Sequence, residues 1–339
     1  MFRKPAGTSR GILTDKDSWY FILSTPENPN KRGIGECSLL PGLSPELKTN
    51  LDKLLNQIEA QPDLWLQNPS LTLAYPAIRF ALETAYTDWQ NGGQRLLFPG
   101  PFTQGRSSIP INGLIWMGSP QEMIRQIQEK VEEGFSTLKM KVGAIDFEKE
   151  LEIIRYIRSE FSTQSLTLRL DANGAFSPCE ALHKLELLSK FDIHSIEQPI
   201  RPGQPKSMAL LCEKSPIPIA LDEELIGIGS VEEKASLLDA LRPAYIILKP
   251  SLHGGLSGAE EWIRIASQRN IGWWITSALE SNIGLNAIAQ WTSHIGARGV
   301  QGLGTGMLYQ NNIPSPLIIH QGRLHYNPHH SWEINLPDA

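Results

Sequence analysis

The chain has 339 residues, 41% of them hydrophobic and 20% charged, with a formal net charge of −5. That balance is ordinary for a globular protein of one large or two modest domains, and a net negative chain whose basic residues form no block excludes nucleic acid and anionic membrane as main partners. No apolar run nears the ~20 residues of a membrane span, and Cys37, Cys179 and Cys212 show no C-x-x-C spacing, so the expectation is a soluble, cytoplasmic protein with reduced thiols.

In chain order, Ser18-Trp19-Tyr20-Phe21-Ile22-Leu23 and Gly33-Ile34-Gly35-Glu36-Cys37-Ser38 predict two strands. The second runs into a loop, Leu39-Leu40-Pro41-Gly42-Leu43-Ser44. Helical spacing follows near 45–59 and 75–91. Strands followed by helices suggest a small α+β unit over residues 1–105, ended by the linker Pro99-Gly100-Pro101. From 106 to 319 the pattern alternates. Apolar strand candidates fall at 109–117, 136–143, 165–172, 193–199, 217–223, 244–250, 272–278 and 298–304. Helix starts are written between them: Ser119-Pro120-Gln121-Glu122 and Ser177-Pro178-Cys179-Glu180 place Ser at the N-cap, Pro at the first helical position and an acid three residues on, and Ser230-Val231-Glu232-Glu233 repeats this without Pro. Eight strands alternating with helices predict a β/α barrel. An open doubly wound sheet is the alternative, but Met117-Gly118-Ser119-Pro120 is not the Gly-rich phosphate turn it needs. The polar tail from about 320 to 339 is expected to fold back and complete the N-terminal unit. Its histidines, His320, His325, His329 and His330, have no metal-ligand spacing and read as surface residues.

Five of these strands end in an ionisable residue. Lys141, preceded by Lys139, is followed by Asp171, Glu197, Asp222 and Lys249 at steps of 30, 26, 25 and 27 residues. Residues i and i+2 of a strand share a face, so Lys139 points with Lys141, and Arg169 with Asp171. One such lysine pair alone reads as a solvated edge strand, and one acid at a strand end as a helix N-cap. Five successive strands ending in charge need one common polar site, which the mouth of a barrel provides. Three carboxylates that close repel unless a cation joins them, and all-oxygen ligation selects a hard ion such as Mg²⁺. Lys249, in an otherwise apolar strand, is either a usable acid or base or half of a structural ion pair. Together these groups suggest proton abstraction next to a carboxylate, a lysine-plus-Mg²⁺ pattern that general accounts of catalysis give for the enolase superfamily.

The set Lys139-Met140-Lys141, Asp171-Ala172-Asn173, Glu197-Gln198-Pro199, Asp222-Glu223 and Leu248-Lys249-Pro250 resembles the enolase superfamily, muconate-lactonizing subgroup, over nearly the whole length. The segments 33–44, 276–284 (Thr276-Ser277-Ala278-Leu279-Glu280-Ser281-Asn282-Ile283-Gly284) and 302–306 (Gly302-Leu303-Gly304-Thr305-Gly306) resemble its dehydratase branch of menaquinone biosynthesis. The resemblance implies an α/β fold, a modified (β/α)7β TIM-like barrel with an α+β capping domain. It implies Mg²⁺, or Mn²⁺, on Asp171, Glu197 and Asp222. Lys141 is then the base that removes the α-proton and afterwards helps hydroxide leave. Lys249 stabilises the enediolate from the opposite face, and Lys139 neutralises the substrate carboxylate or tunes Lys141. Arg169 and Asn173 support the substrate site, Ser277 and Gly304 line its succinyl pocket, and the loop of Leu40 and Pro41 closes over it. The implied reaction is syn dehydration of 2-succinyl-6-hydroxy-2,4-cyclohexadiene-1-carboxylate to 2-succinylbenzoate, with a small-molecule carboxylate as the partner and the oligomeric state undetermined. Glu224, where much of the subgroup has Ser, is the one departure, and is expected to change contacts around the metal. His253 is expected in a loop role, and Trp273 and Trp274 in barrel packing. The alternative function is racemisation or epimerisation of N-acylamino acids or dipeptides with the same lysines. A non-catalytic barrel predicts eroded site residues, and a Schiff-base aldolase leaves three metal-type acids without a purpose.

Overall fold

The structure is a computed structural model that describes residues 1–3, 6–8 and 11–334; the last five residues of the tail, 335–339, lie outside the described residues. Strands β1 (Ala6–Thr8) and β2 (Gly11–Leu13) pair antiparallel, and β3 (Ser18–Thr25) and β4 (Asn28–Ser38) form a hairpin. The predicted helix near 45–59 is a short 3-10 turn, Pro45–Lys48, followed by a helix, Leu51–Ala60. Asn50 separates them because its side chain accepts the Lys53 amide at 3.1 Å and so starts a new helix. Helix Pro76–Gln90 is buried on nearly all sides, since β4 covers one flank and barrel helices another.

Its contact with β4 is set by glycine. Cys37 of β4 packs with Ala77 and Ala81 of the helix. On the same face, a Cβ on Gly33 would run into the Ala85 carbonyl, and one on Gly35 into the Ala81 carbonyl. The opposite face of β4 carries Ile34 and Glu36.

The second half is a β/α barrel. Its parallel strands are β6 (Gly113–Ile115), β7 (Thr137–Lys141), β8 (Thr167–Asp171), β9 (Ser195–Glu197), β10 (Ile219–Leu221), β11 (Tyr245–Leu248) and β12 (Gly272–Ile275), hydrogen-bonded in chain order. Each is followed by a helix, 120–132, 147–160, 178–188, 205–214, 231–241, 255–267 and 282–294 in turn. The expected capping boxes form at Ser119, Ser177 and Ser230. Alternate strand residues Leu138, Met140, Leu168, Leu170, Leu221, Ile246 and Leu248 face the helices and belong to the main core.

The ends of the barrel differ from the sequence expectation. The first predicted strand, 109–117, splits into β5 (Ile109–Pro110) and β6. The eighth, 298–304, is reduced to parallel bridges, Gln301 to Ile111 and Gly302 to Thr276, which close the ring. Glycine at 299, 302, 304 and 306 denies this segment strand-forming side chains. The Gln301 side chain makes up part of the ladder, accepting the Ile275 amide at 2.8 Å and donating to the Arg298 carbonyl at 2.8 Å. The tail forms a hairpin, β13 (Leu317–His320) and β14 (Arg323–Tyr326), around Gln321 and Gly322, both in the left-handed region. It pairs with β5, at the entry to the barrel, rather than with β3 or β4. His320, His329 and His330 are exposed and His325 is half-buried.

Because the Gly35 contact is with helix backbone, Gly35→Ala must displace the helix. It is expected to lower unfolding free energy by ~1–3 kcal/mol, the cost of overpacking, read as a lower urea midpoint at unchanged slope.

Candidate active site

The barrel register builds the site. Lys139 pairs with Arg169, which pairs in turn with Ser195, and two residues further along Lys141 pairs with Asp171, which pairs with Glu197. All of these are inward. Asp222 follows β10 and Lys249 follows β11 on the same parity. The side chains of Lys139, Lys141, Asp171, Glu197, Asp222 and Lys249 are all buried. Three lysines therefore stand among three carboxyl groups in a space that excludes most water.

They pair in a fixed order. Lys141 Nζ lies 2.5 Å from Asp171 Oδ2 and donates to Asn173 Oδ1 at 2.8 Å. Lys139 Nζ lies 3.1 Å from Asp171 Oδ2 and 3.0 Å from Glu197 Oε2. Lys249 Nζ pairs with Asp222 Oδ2. Burial pulls Lys139 down, but Glu197 and Asp171 outweigh it and its pKa is raised. Burial and the like charge of Lys139 outweigh Asp171 at Lys141, whose pKa is lowered. Burial opposes ionisation of Asp171, yet Lys141 and Lys139 hold it well below the usual carboxylate range. Burial and the neighbouring Asp171 push Glu197 up to about 8. At Lys249 burial lowers the pKa and Asp222 more than restores it.

Among the described residues no three acidic side chains converge closely enough to hold an ion as they stand; each is turned to a lysine. The donor set still fits a hard dication. Asp171, Glu197 and Asp222 end three consecutive strands, with Asp171 and Glu197 directly paired in register. Asp222 Oδ1 is buried without a hydrogen-bond partner. The raised Glu197 is what carboxylates crowded together show, and a positive charge among them reverses it.

Several sequence expectations find other surroundings. Arg169 points down the barrel, one layer below Asp171. Its Nη1 donates to the Val300 carbonyl at 3.0 Å and its guanidinium lies 4.1 Å over the Trp274 ring. Trp274 packs inside the barrel with Ala220 and Ile247. Asn173 holds Lys141, and its Nδ2 donates to Glu223 Oε1 at 3.0 Å. Glu224 lies away from the three acids: it accepts from Gln198 Nε2 at 3.1 Å and from the Gly203 amide at 3.0 Å, and so ties down the turn after β9. Its contacts are thus structural ones, to the turn that also holds the Asp222 amide.

The mouth is completed from the loops. Ser277 lies buried against Thr305, hydroxyl to hydroxyl, and its amide donates to the Gly302 carbonyl at 3.1 Å. Gly304 has ordinary room for a Cβ, 3.6 Å from Ile111. Leu40 is buried in a cluster with Leu252 and Ala278, which follow Lys249 and β12, while Pro41 is exposed. The capping loop thus reaches the barrel mouth.

Sequence reading missed two supports, Gln198 and Glu223, while His253 takes the loop role expected of it. Gln198, left-handed at φ 40°, accepts the Asp222 and Glu224 amides at 3.1 and 3.2 Å. Glu223 takes the Asn173 carboxamide. His253 Nδ1 accepts the Lys249 amide at 3.0 Å. Gln198 and Glu223 sit next to strand-end acids, and that adjacency was the available signal.

Comparison with known proteins gives the family. A family model described as enolase C-terminal domain-like matches residues 122–331. The chain is 48% identical to the o-succinylbenzoate synthase of Desulfotalea psychrophila, with 96% of each chain covered. It superposes on the crystal structure of MenC from Desulfotalea psychrophila with a TM-score of 0.82 at 45% identity, covering 95% of this chain and 97% of that one. The dipeptide epimerase of Cytophaga hutchinsonii, solved with Mg and a dipeptide, shares the fold at 22% identity and a TM-score of 0.81, covering 98% of this chain and 93% of that one. Enzymes of this superfamily generally depend on a divalent metal. The inward row of lysines and acids, the closed β/α ring and these likenesses agree: the chain belongs to the enolase superfamily and, within it, to the o-succinylbenzoate synthase family.

Proposed function

We propose that the chain is a carbon–oxygen lyase that dehydrates 2-succinyl-6-hydroxy-2,4-cyclohexadiene-1-carboxylate to 2-succinylbenzoate. The carrying observation is the placement of Lys141 and Lys249. Their strands, β7 and β11, stand four positions apart in a ring whose eighth position is the 301–302 bridge. Each lysine is held by a different acid of the same buried row. A flat substrate lying over that row meets one lysine on each face.

The chemistry follows from that placement. Lys141 as the neutral amine takes the proton from the carbon bearing the carboxylate. The resulting ammonium gives a proton to the hydroxyl leaving from the same face. One C–H and one C–O bond break, a ring C=C forms, and water departs. Lys249 stays an ammonium on the other face and balances the negative charge that develops on the carboxylate. Lys139, held between Asp171 and Glu197, keeps its charge beside Lys141 and favours the neutral amine there. Asp171, Glu197 and Asp222 would hold the dication, assigned as Mg²⁺ with Mn²⁺ as a substitute, and when bound it supplies positive charge to the substrate carboxylate oxygens. Ser277 and Gly304 border the succinyl chain, and Leu40 and Pro41 keep water out. Arg169 serves from below, by supporting the barrel interior. Three free thiols fit a reducing, cytoplasmic setting, and among the described residues no helix is long and apolar enough to cross a membrane.

The purified protein is expected to consume the diene absorbance of the cyclohexadiene substrate. Racemisation of N-succinyl amino acids without loss of the diene would place it with the epimerases instead. Lys141→Ala is expected to lower kcat by ~10²–10⁴-fold, the usual contribution of a positioned proton-transfer group, and Lys249→Ala by ~10²–10³-fold, the usual loss of one group that stabilises developing charge, with metal affinity by calorimetry little changed. Chelation with EDTA is expected to abolish turnover, with recovery on adding Mg²⁺. Asp222→Asn is expected to weaken metal binding by about tenfold or more; unchanged affinity would remove Asp222 from the ligand set.

A further inference from the structure

Among the contacts of the capping unit with the barrel are two carboxylates, each set on the N-terminus of a barrel helix. Glu36 of β4 is fully buried. It accepts from the Ser281 amide at 2.8 Å, the Ser281 hydroxyl at 2.6 Å, the Gly284 amide at 3.0 Å and the Ser18 hydroxyl at 2.8 Å. Ser281 is the N-cap of helix 282–294. Four acceptor positions on one carboxylate are thus all used. Gly284 leaves room for this, since a Cβ there would lie 3.0 Å from Glu36 Oε2. Glu83 of helix Pro76–Gln90 does the same for helix 255–267, accepting the Leu256 amide at 2.6 Å, the Ser257 amide at 3.3 Å and the Ser257 hydroxyl. Both use the unpaired amides and positive end of a helix to hold an anion.

The two anchors differ in what they control. Glu83 sits mid-helix, remote in sequence from the capping loop. Glu36 is four residues before Leu40, on a strand that runs without interruption into the loop. The loop is closed on itself by the Leu43 and Ser44 amides, which donate to the Leu40 carbonyl at 3.1 and 3.0 Å, and by the Leu40 amide, which donates to Ser44 Oγ at 2.8 Å. These bonds make the loop one compact turn attached to the end of β4. Glu280, next to Ser281 in the loop after β12, accepts from Ser251 Oγ and the Ala278 amide. Its partners therefore lie directly beyond Lys249 and beside the Leu40 cluster.

We propose that Glu36 is a positioning residue for the dehydration: by seating on helix 282–294 it sets where the 39–44 loop lies over the substrate. Glu83 holds the same two units together without setting the loop. The proposal rests on the dehydratase reading for its kinetic consequence and on the geometry alone for its effect on the loop.

Glu36→Gln and Glu83→Gln in the full-length enzyme test this. Gln replaces a charged acceptor with a neutral group that turns an N–H toward the helix amides. Both variants are expected to lower Tm by similar amounts. Only Glu36→Gln is expected to raise KM, by about tenfold, the loss of one charge-assisted hydrogen bond, with a smaller change in kcat. Glu83→Gln should keep KM within about threefold. Amide hydrogen exchange at residues 40–44, measured without substrate, should quicken in Glu36→Gln and not in Glu83→Gln. Should Glu36→Gln fail to fold, Ser281→Ala, which removes one donor to Glu36, is expected to shift exchange and KM in the same direction by about threefold. Loop exchange no faster in the Glu36 variant than in the Glu83 variant overturns the anchor, and KM values that match between the two overturn its role in the reaction. Absence of dehydratase turnover in the wild-type protein would sink the functional reading while the exchange comparison still decides the anchor.

Discussion

Six buried ionisable side chains, three lysines against three acids, constrain the rest of this molecule. An isolated charge in such a space is costly by several kcal/mol, so none of the six can be placed without its partners. The pairing spreads over five neighbouring strand ends: Lys141 and Lys139 on Asp171, Lys139 again on Glu197, and Lys249 on Asp222. Only a ring of parallel strands brings those five ends to one place at one height. The registers Lys141 to Asp171 to Glu197 put three of them level with each other. The same balance sets the chemistry. Lys139 is kept charged by two acids, while burial, helped by the Lys139 charge, lowers Lys141, so two lysines two residues apart in one strand have opposite tendencies.

Around that row the structure uses uncharged or neutralised groups to hold the ends of strands. Gln198 and Asn173 both take left-handed backbone just after a strand-end acid, φ 40° and 45°. Such conformations cost free energy outside glycine and persist where surrounding bonds over-determine them. Here the Gln198 carboxamide holds the Asp222 and Glu224 amides, and Asn173 joins Lys141 to Glu223. The interior below is apolar and aromatic, with Trp274 covering Arg169. Buried cations thus continue below the site, but Arg169 is matched by a carbonyl and a ring face instead of by an acid.

The capping unit depends on close approach. Gly33 and Gly35 let β4 lie against the helix 76–90 backbone, and the opposite face of the same strand presents Glu36 to the barrel. One strand therefore joins the inner packing of the cap to its seat on the barrel. Its continuation, through Leu40, reaches the loops that follow Lys249 and β12.

Much of this was legible in the chain. Side-chain alternation along a strand is a local rule, so the inward set Lys139, Lys141, Arg169, Asp171 followed from spacing alone, as did the helix starts at Ser119, Ser177 and Ser230. The even steps between charged strand ends indicated a barrel for the same reason: each step is one β/α unit. The ends of the barrel were not legible. Residues 109–117 and 298–304 were expected as strands, yet they become a split strand and two bridges, because how many ladder bonds form depends on the partner across the closure and on glycine in the segment. The tail pairs with β5, a choice that no local pattern encodes. Nor did residue type reveal that Arg169 serves the barrel floor, that Glu224 holds a turn or that Glu36 caps a helix 245 residues away. Local periodicity determines which way a side chain points, and the sequence by itself carried that. What the side chain meets there is set by distances between segments far apart in the chain, and only the tertiary structure decides those.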